Sequence, residues 1–194
     1  MAKNFSIIMN LAIICNIIII IFVLIGLYLS IKKYSLSSFI FYTVLSNCFG
    51  LLSAIVFLLN IEGSEKVRFF ANVLLMFTFL VTLFVLVPLG SDLKEMMFKG
   101  SGLCHHLIVP ITSIVSYLLW EKHYYSPWQP VVFTFFYGII VYYLNWIRKV
   151  DGPYPFFKIH KIGVKKSAIW FFTLLFLIFV LAQTLIYLSI LFEK

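Results

Sequence analysis

The sequence predicts an all-α integral membrane protein, a polytopic bundle of about six transmembrane helices that forms a single domain over residues 1–194. Two observations carry this prediction. Hydrophobic residues make up 63% of the chain and charged residues 11%, and a water-soluble domain of this size cannot bury so much apolar surface. Several runs without Asp, Glu, Lys or Arg also reach the ~20 residues that a helix needs to cross ~30 Å of hydrocarbon.

The predicted spans cover approximately residues 5–29, 37–60, 69–89, 103–120, 128–147 and 168–192. The first run is longer than the apolar region of a signal peptide, so we expect it to remain in the protein as a helix. The loops after the first, third and fifth spans carry ten of the fifteen basic residues, and the termini and the other loops carry five. Because cytoplasmic loops are enriched in Lys and Arg, both termini should face away from the cytoplasm.

The net charge of +8 fits this topology and anionic lipid headgroups, so we expect a membrane and a lipid as partners and no nucleic acid. The three cysteines have no spacing of the kind that binds metals. The chain is rich in Ile, Phe and Lys, a composition typical of AT-rich bacterial genomes. The expected location is therefore a bacterial plasma membrane.

Polar residues near the start of the second span form the first candidate site. Thr43, Ser46 and Asn47 stand at positions i, i+3 and i+4, so they share one helix face. In membranes such residues often form hydrogen bonds that hold neighbouring helices together, and this structural interpretation stays open. A threonine hydroxyl can also act as a nucleophile when a base lies beside it.

Two adjacent histidines at the start of the fourth span form the second candidate site. Pro110 lacks an N–H, so the carbonyl of His106 loses its usual helix partner. Histidine can act as a general base near neutral pH, and the alternatives are headgroup contacts or a metal ligand. His105 and His106 would point ~100° apart on a helix, which suits a shared metal poorly. We therefore expect no metal and no organic cofactor.

The two sites are predicted at similar depths beneath the same membrane face. At ~1.5 Å per residue, Thr43 lies ~9 Å along the second span and His106 ~7.5 Å along the fourth. A third candidate is the loop that contains Tyr154 between two prolines, which fix an extended turn. This turn can anchor the loop at the membrane surface or close the mouth of a site. Asn145, one turn before the loop, can cap its helix or join that site.

Three motifs in this order carry a resemblance to a known family. They are Phe41-Tyr42-Thr43-Val44-Leu45-Ser46-Asn47, His106-Leu107-Ile108-Val109-Pro110 and Gly152-Pro153-Tyr154-Pro155-Phe156. From about its second span to its sixth, the chain resembles bacterial six-span relatives of the androgen-induced and androgen-dependent TFPI-regulating membrane hydrolases. The resemblance implies hydrolysis of fatty acid esters of hydroxy fatty acids within the membrane.

Carried over residue by residue, the resemblance implies Thr43 as the nucleophile and His106 as the histidine, with His105 as the competing choice. Asn47 and the turn at Tyr154 also match bacterial members. Two positions depart from the pattern, since Ser116 and Lys158 stand where family members often carry an acid. A missing acid removes one way to orient the imidazole.

The leading hypothesis is an intramembrane lipid-ester hydrolase or acyl-transfer enzyme that acts on fatty-acyl esters. Its expected substrate-binding residues are Ser46, Asn47, Asn145 and Tyr154, with Asn47 or Asn145 stabilising the oxyanion. The first alternative is a transporter or binding protein for a lipid or small molecule. The second is a structural or regulatory membrane protein without chemistry.

Overall fold

The computed structural model describes residues 2–121 and 123–192, with side chains from Asn10 onward. It confirms the predicted all-α class, since these residues form helices and no strand. The helices are α1 (Ala2–Tyr34), α2 (Tyr42–Leu58), α3 (Ser64–Leu86), α4 (Leu93–Met97), α5 (Gly100–Trp120), α6 (Trp128–Trp146), α7 (Ile159–Ile162) and α8 (Val164–Phe192).

The six longer helices lie where the sequence predicts the six spans. Among the described residues, α1, α3, α5 and α8 are long and apolar enough to cross a membrane, which identifies the chain as a membrane protein. Helix α2 is apolar but has 17 residues, or ~26 Å of helix. Helix α6 has 19 residues and is not one of those four. A full crossing by α2 and α6 stays a prediction.

The helices alternate in direction, so the bundle has two distinct ends. We call the end that holds His105 and His106 the histidine end, and the end that holds Arg68 the arginine end. Helix α2 runs from the first to the second, and α3 returns. The ten basic residues counted in the loops after the first, third and fifth predicted spans lie at the histidine end. The predicted orientation would place that end in the cytoplasm.

The basic residues counted at the arginine end are Lys3, Lys66, Arg68, Lys122 and Lys194. Lys122, Lys194 and the side chain of Lys3 lie outside the described residues. Arg68 is not a loop charge, because it is buried inside the bundle at 1% exposure. Removing it from the loop count strengthens the charge asymmetry on which the predicted orientation depends.

Helix α3 is the centre of the bundle and packs against α2, α5, α6 and α8, while α1 packs against α2 and α5. A large aromatic and aliphatic core fills the space among α2, α3, α5, α6 and α8. A smaller cluster lies between the two ends of the bundle, and we call it the apolar layer. Its buried members are Ile19, Val23, Ala54, Leu75 and Val109.

The predicted second span, residues 37–60, is interrupted in the structure. A 3-10 turn covers Ser35–Ile40, Phe41 is extended at φ −79° and ψ 130°, and α2 begins at Tyr42. The hydroxyl of Tyr137 donates to the Ile40 carbonyl at 2.8 Å and accepts from the Tyr42 N–H at 3.1 Å. A side chain thus takes over backbone hydrogen bonds at the break. Thr43 consequently lies in the first turn of α2, and the predicted ~9 Å of preceding helix is wrong.

Candidate functional site

A cavity of about 450 Å³ opens at the histidine end. Its wall includes Thr43 from α2, His105 and His106 from α5, and Tyr154 from the loop between α6 and α7. The cavity thus brings together both predicted catalytic histidines, the predicted nucleophile and one predicted substrate-binding residue.

A smaller apolar pocket of about 40 Å³ adjoins this cavity. Thr43, Tyr154 and Leu86 contribute to the walls of both. The other walls of the pocket are mainly aromatic and aliphatic, and include Phe77, Phe156, Phe157, Phe171 and Leu174. The Thr43 side chain therefore stands at the junction between a polar space and an apolar one.

Thr43 occupies the positive end of a helix dipole, because it is the second residue of α2. Its carbonyl accepts hydrogen bonds from the Ser46 hydroxyl at 2.9 Å and from the Asn47 amide at 2.8 Å. Its backbone N–H donates to the Tyr154 hydroxyl over 3.4 Å. A helix N-terminus favours negative charge, so this position suits a developing alkoxide or oxyanion.

Tyr154 reaches Thr43 because its loop folds back over the bundle. Its ring stacks on Phe156 at a centroid distance of 5.3 Å and an interplanar angle of 17°. Burial raises the pKa of Tyr154 above its ordinary value, while hydrogen bonds with Thr43 oppose the shift. The phenol therefore stays protonated across physiological pH and can donate a hydrogen bond toward the cavity.

His106 is held by a threonine that the sequence analysis did not assign. Its Nδ1 shares a 2.8 Å hydrogen bond with the Thr82 hydroxyl, and its Nε2 has no partner among the described residues. Both residues lie in π-helical turns, Thr82–Leu86 in α3 and Leu103–Ile108 in α5. Such turns are rare and frequently mark functional sites. The arrangement leaves one ring nitrogen of His106 available for proton transfer.

His105 lines the same cavity with a different environment. Its side chain is 2% exposed, and neither ring nitrogen has a hydrogen-bond partner of normal geometry among the described residues. The ring edge lies against the backbone of Gly26 in α1. A Cβ at Gly26 would lie 2.5 Å from Cε1 of His105, so only glycine allows this approach.

Three predicted substrate-binding residues lie outside the walls of the cavity and the pocket. The Ser46 hydroxyl bonds the Thr43 carbonyl and shares a 2.9 Å hydrogen bond with Thr78. The Asn47 amide spans α2 and α5, because its Nδ2 also donates to the His105 carbonyl at 3.3 Å. These bonds position the neighbours of Ser46 and Asn47.

Asn145 holds the loop that carries Tyr154. Its Nδ2 donates to the Val150 carbonyl at 2.8 Å, and its Oδ1 accepts from the Ile159 N–H at 2.9 Å. Both polar atoms of the side chain are thereby used in the loop. Asn145 positions Tyr154, and an oxyanion contact from its side chain would require these bonds to break.

Each of the two positions that depart from the resembled motifs, Ser116 and Lys158, has a polar partner in the structure. Ser116 is far along α5 from His106 and donates to Glu121 at the arginine end. The contact that orients the His106 ring comes from Thr82. Lys158 pairs with Asp151 at 3.3 Å within its own loop.

A buried ion pair at the arginine end was missed by the sequence analysis. Arg68 donates to both oxygens of Glu121, from Nε at 2.5 Å and from Nη2 at 2.6 Å, and each side chain is 1% exposed. Nη1 donates to Ser53 at 3.0 Å, and Asn16 donates to Glu121 at 3.4 Å. Both charges stand one residue outside a predicted span. Their opposite charges at the same membrane face were the sequence signal that could have indicated an ion pair.

Comparison with known proteins assigns no family to this chain. No protein-family model, no curated protein and no solved structure matches it. The resemblance carried by the three motifs therefore stays a prediction.

Proposed function

We propose that the cavity at the histidine end is the active site of an intramembrane lipid-ester hydrolase or acyl-transfer enzyme that acts on fatty-acyl esters. One observation carries the proposal: Thr43 and His106 come from different helices and line one cavity, with His106 oriented by Thr82. A threonine hydroxyl and an oriented imidazole that face one cavity supply the two groups that nucleophilic acyl transfer needs.

The first step uses the unpaired nitrogen of His106. Thr43 Oγ attacks the carbonyl carbon of the ester, and its proton passes to Nε2 of His106. The bond between the carbonyl carbon and the alcohol oxygen then breaks, and the alcohol takes that proton from His106. The acyl group remains on Thr43 as an ester. Thr82 keeps the ring of His106 in one orientation throughout.

Negative charge on the carbonyl oxygen would be stabilised by Tyr154 and by the start of α2. The neutral phenol of Tyr154 lies next to the Thr43 backbone, where it can donate to that oxygen. The positive end of α2 adds to this effect. The sequence-based candidates for this role were Asn47 and Asn145. The Nδ2 atom of each already donates to a backbone carbonyl.

The surroundings of Thr43 suit a lipid substrate. The apolar pocket of about 40 Å³ beside it has room only for the first carbons of an acyl chain. The rest of the chain would lie in the larger cavity, which also offers polar groups to the ester and its alcohol. A lipid would enter from the leaflet at the histidine end. The distribution of Lys and Arg predicts this to be the cytoplasmic leaflet, in a bacterial plasma membrane.

Hydrolysis of p-nitrophenyl octanoate and of a palmitate ester of a hydroxy fatty acid, by purified protein in lipid nanodiscs, tests the proposal. Thr43→Ala and His106→Gln should each lower kcat/KM by at least ~100-fold. Thr184→Ala on the exposed face of α8 is the matched threonine control, and His160→Gln is the matched histidine control. Wild-type rates in Thr43→Ala would overturn the proposal.

Transport of a lipid or small molecule is the second candidate, and one observation favours it. A second cavity of about 690 Å³ opens at the arginine end. Both cavities are bordered by α1, α2, α3 and α5, and the apolar layer lies between them. Accumulation of intact fatty acid or ester in proteoliposomes, without turnover, would favour transport over hydrolysis.

A further inference from the structure

His105 is a buried titratable residue that the proposed first step leaves unused. It borders the cavity and is 2% exposed. The ring edge lies against the backbone of Gly26, and neither ring nitrogen has a hydrogen bond of normal geometry among the described residues. Burying a polar group without a hydrogen bond is unfavourable. An imidazole in this state beside a cavity therefore fits a small polar ligand that bonds to it.

Asn47 lies outside the cavity walls and holds the backbone of His105. Its Nδ2 donates to the carbonyls of Thr43 at 2.8 Å and His105 at 3.3 Å. This amide thus ties the backbone of His105 to that of the proposed nucleophile.

Gly26 shows that the ring of His105 is closely enclosed. The ring occupies space that a Cβ at this position would enter, with Cε1 at 2.5 Å and Nδ1 at 2.8 Å from it. Close enclosure fixes the direction of the ring nitrogens, as a residue that positions a reactant requires.

We propose that His105 binds the water that hydrolyses acyl-Thr43, so that the chain is a hydrolase with one histidine for each half of its reaction. This inference rests on the proposed function. His106 serves the formation of the acyl-enzyme, and His105 serves its breakdown. The ligand of the His105 site is water, and the product is a free fatty acid.

In the second half-reaction, a ring nitrogen of His105 takes one proton from the water while the water oxygen bonds to the carbonyl carbon of acyl-Thr43. The bond from that carbon to Thr43 Oγ breaks, and the proton held by His105 passes to Oγ. The enzyme is restored and the fatty acid leaves.

Stopped-flow measurement of p-nitrophenolate release, combined with intact-protein mass spectrometry, separates the two halves. His105→Gln should keep an initial burst near one equivalent of p-nitrophenolate, lower the steady-state rate at least ~10-fold, and accumulate a protein heavier by one acyl group. His106→Gln should show no burst. His160→Gln, outside the cavity, should match wild type in both phases.

Rescue separates a role in water attack from a merely structural one. Hydroxylamine attacks acyl-Thr43 without needing a base, so it should restore turnover in His105→Gln and leave Thr43→Ala inactive. Thermal unfolding of each variant identifies loss of folding.

Two results would overturn this inference. In one, His105→Gln lowers burst and steady state by the same factor. In the other, it changes neither. Failure of the proposed function looks different, because wild type would then form no acyl-enzyme and Thr43→Ala would hydrolyse esters at the wild-type rate.

Discussion

The histidine end and the arginine end bury polar side chains among the same four helices, α1, α2, α3 and α5, yet they treat them in opposite ways. At the arginine end, Arg68 and Glu121 neutralise each other through two hydrogen bonds. At the histidine end, within the described part of the chain, neither ring nitrogen of His105 has a hydrogen bond of normal geometry, and one ring nitrogen of His106 has no partner. Buried groups that satisfy each other stabilise the bundle, whereas unpaired groups beside a cavity are available for chemistry.

The pairing at the arginine end has a mechanical consequence. Arg68 of α3 donates a hydrogen bond to Ser53 of α2. Its partner Glu121 accepts hydrogen bonds from Ser116 of α5 and Asn16 of α1. The network therefore ties four helices together at one level. The amide oxygens of Asn16 and Asn72 have no partner among the described residues, but Arg68 and Glu121 neutralise each other.

The largest expected effect comes from breaking the ion pair. Glu121→Gln leaves the guanidinium of Arg68 buried without its countercharge, and we expect a loss of ~3–5 kcal/mol in the free energy of unfolding. Chemical denaturation of the nanodisc-purified protein in SDS measures it. Glu95→Gln, which removes the exposed partner of Lys99, is the matched control and should change little.

A double variant sharpens this result. Arg68→Met combined with Glu121→Leu removes both charges, and it should regain most of the stability that Glu121→Gln loses. A double variant less stable than Glu121→Gln would mean that the pair contributes more than mutual neutralisation.

The next effect comes from crowding the histidine end. Gly26→Ala places a Cβ 2.5 Å from Cε1 of His105, and overpacking of this kind costs ~1–3 kcal/mol. Gly50→Ala in α2 is the milder comparison, because the nearest atom to its Cβ is in the buried Leu75 side chain, at 3.1 Å. Equal unfolding free energies for the two variants would contradict the close enclosure of His105.

A smaller effect is expected from Thr82. Thr82→Val removes the hydrogen bond to Nδ1 of His106 and should cost ~1 kcal/mol in unfolding free energy. Esterase activity should also fall under conditions in which the variant remains folded, because the ring of His106 is no longer oriented. Thr82→Ser keeps the hydroxyl and should retain most activity. Full activity in Thr82→Val would remove Thr82 from the account.

The smallest effect is expected at Lys158. Its partner Asp151 is 68% exposed, and exposed pairs contribute ~0–1 kcal/mol. Lys158→Gln should change the free energy of unfolding by at most ~1 kcal/mol. It should leave the esterase rate within about twofold of wild type. A large loss of activity would show that the loop charge acts on the site.

The sequence predicted the helices better than the contacts among their polar groups. Span positions follow from length and hydropathy alone, which act locally. The start of α2 was misplaced because the Tyr137 side chain, ninety-odd residues away in sequence, supplies the hydrogen bonds at Ile40 and Tyr42. No local pattern predicts such a contact.

The two polar pairs illustrate the same limit. Thr82 meets His106 through two π-helical turns, which change the direction of side chains relative to a regular helix. Arg68 and Glu121 each lie just beyond an apolar run, so hydropathy assigns them to loops. The shared location of Thr43 and His106 was predicted from their position at corresponding helix starts, and both line one cavity.

Peptide mapping of the adduct formed with a long-chain alkyl fluorophosphonate tests the central claim most directly. Such a probe loses fluoride when an activated hydroxyl bonds to its phosphorus. The account predicts one adduct, on Thr43, and its loss in His106→Gln. An adduct on another residue, or labelling of Thr43→Ala equal to that of wild type, would contradict it.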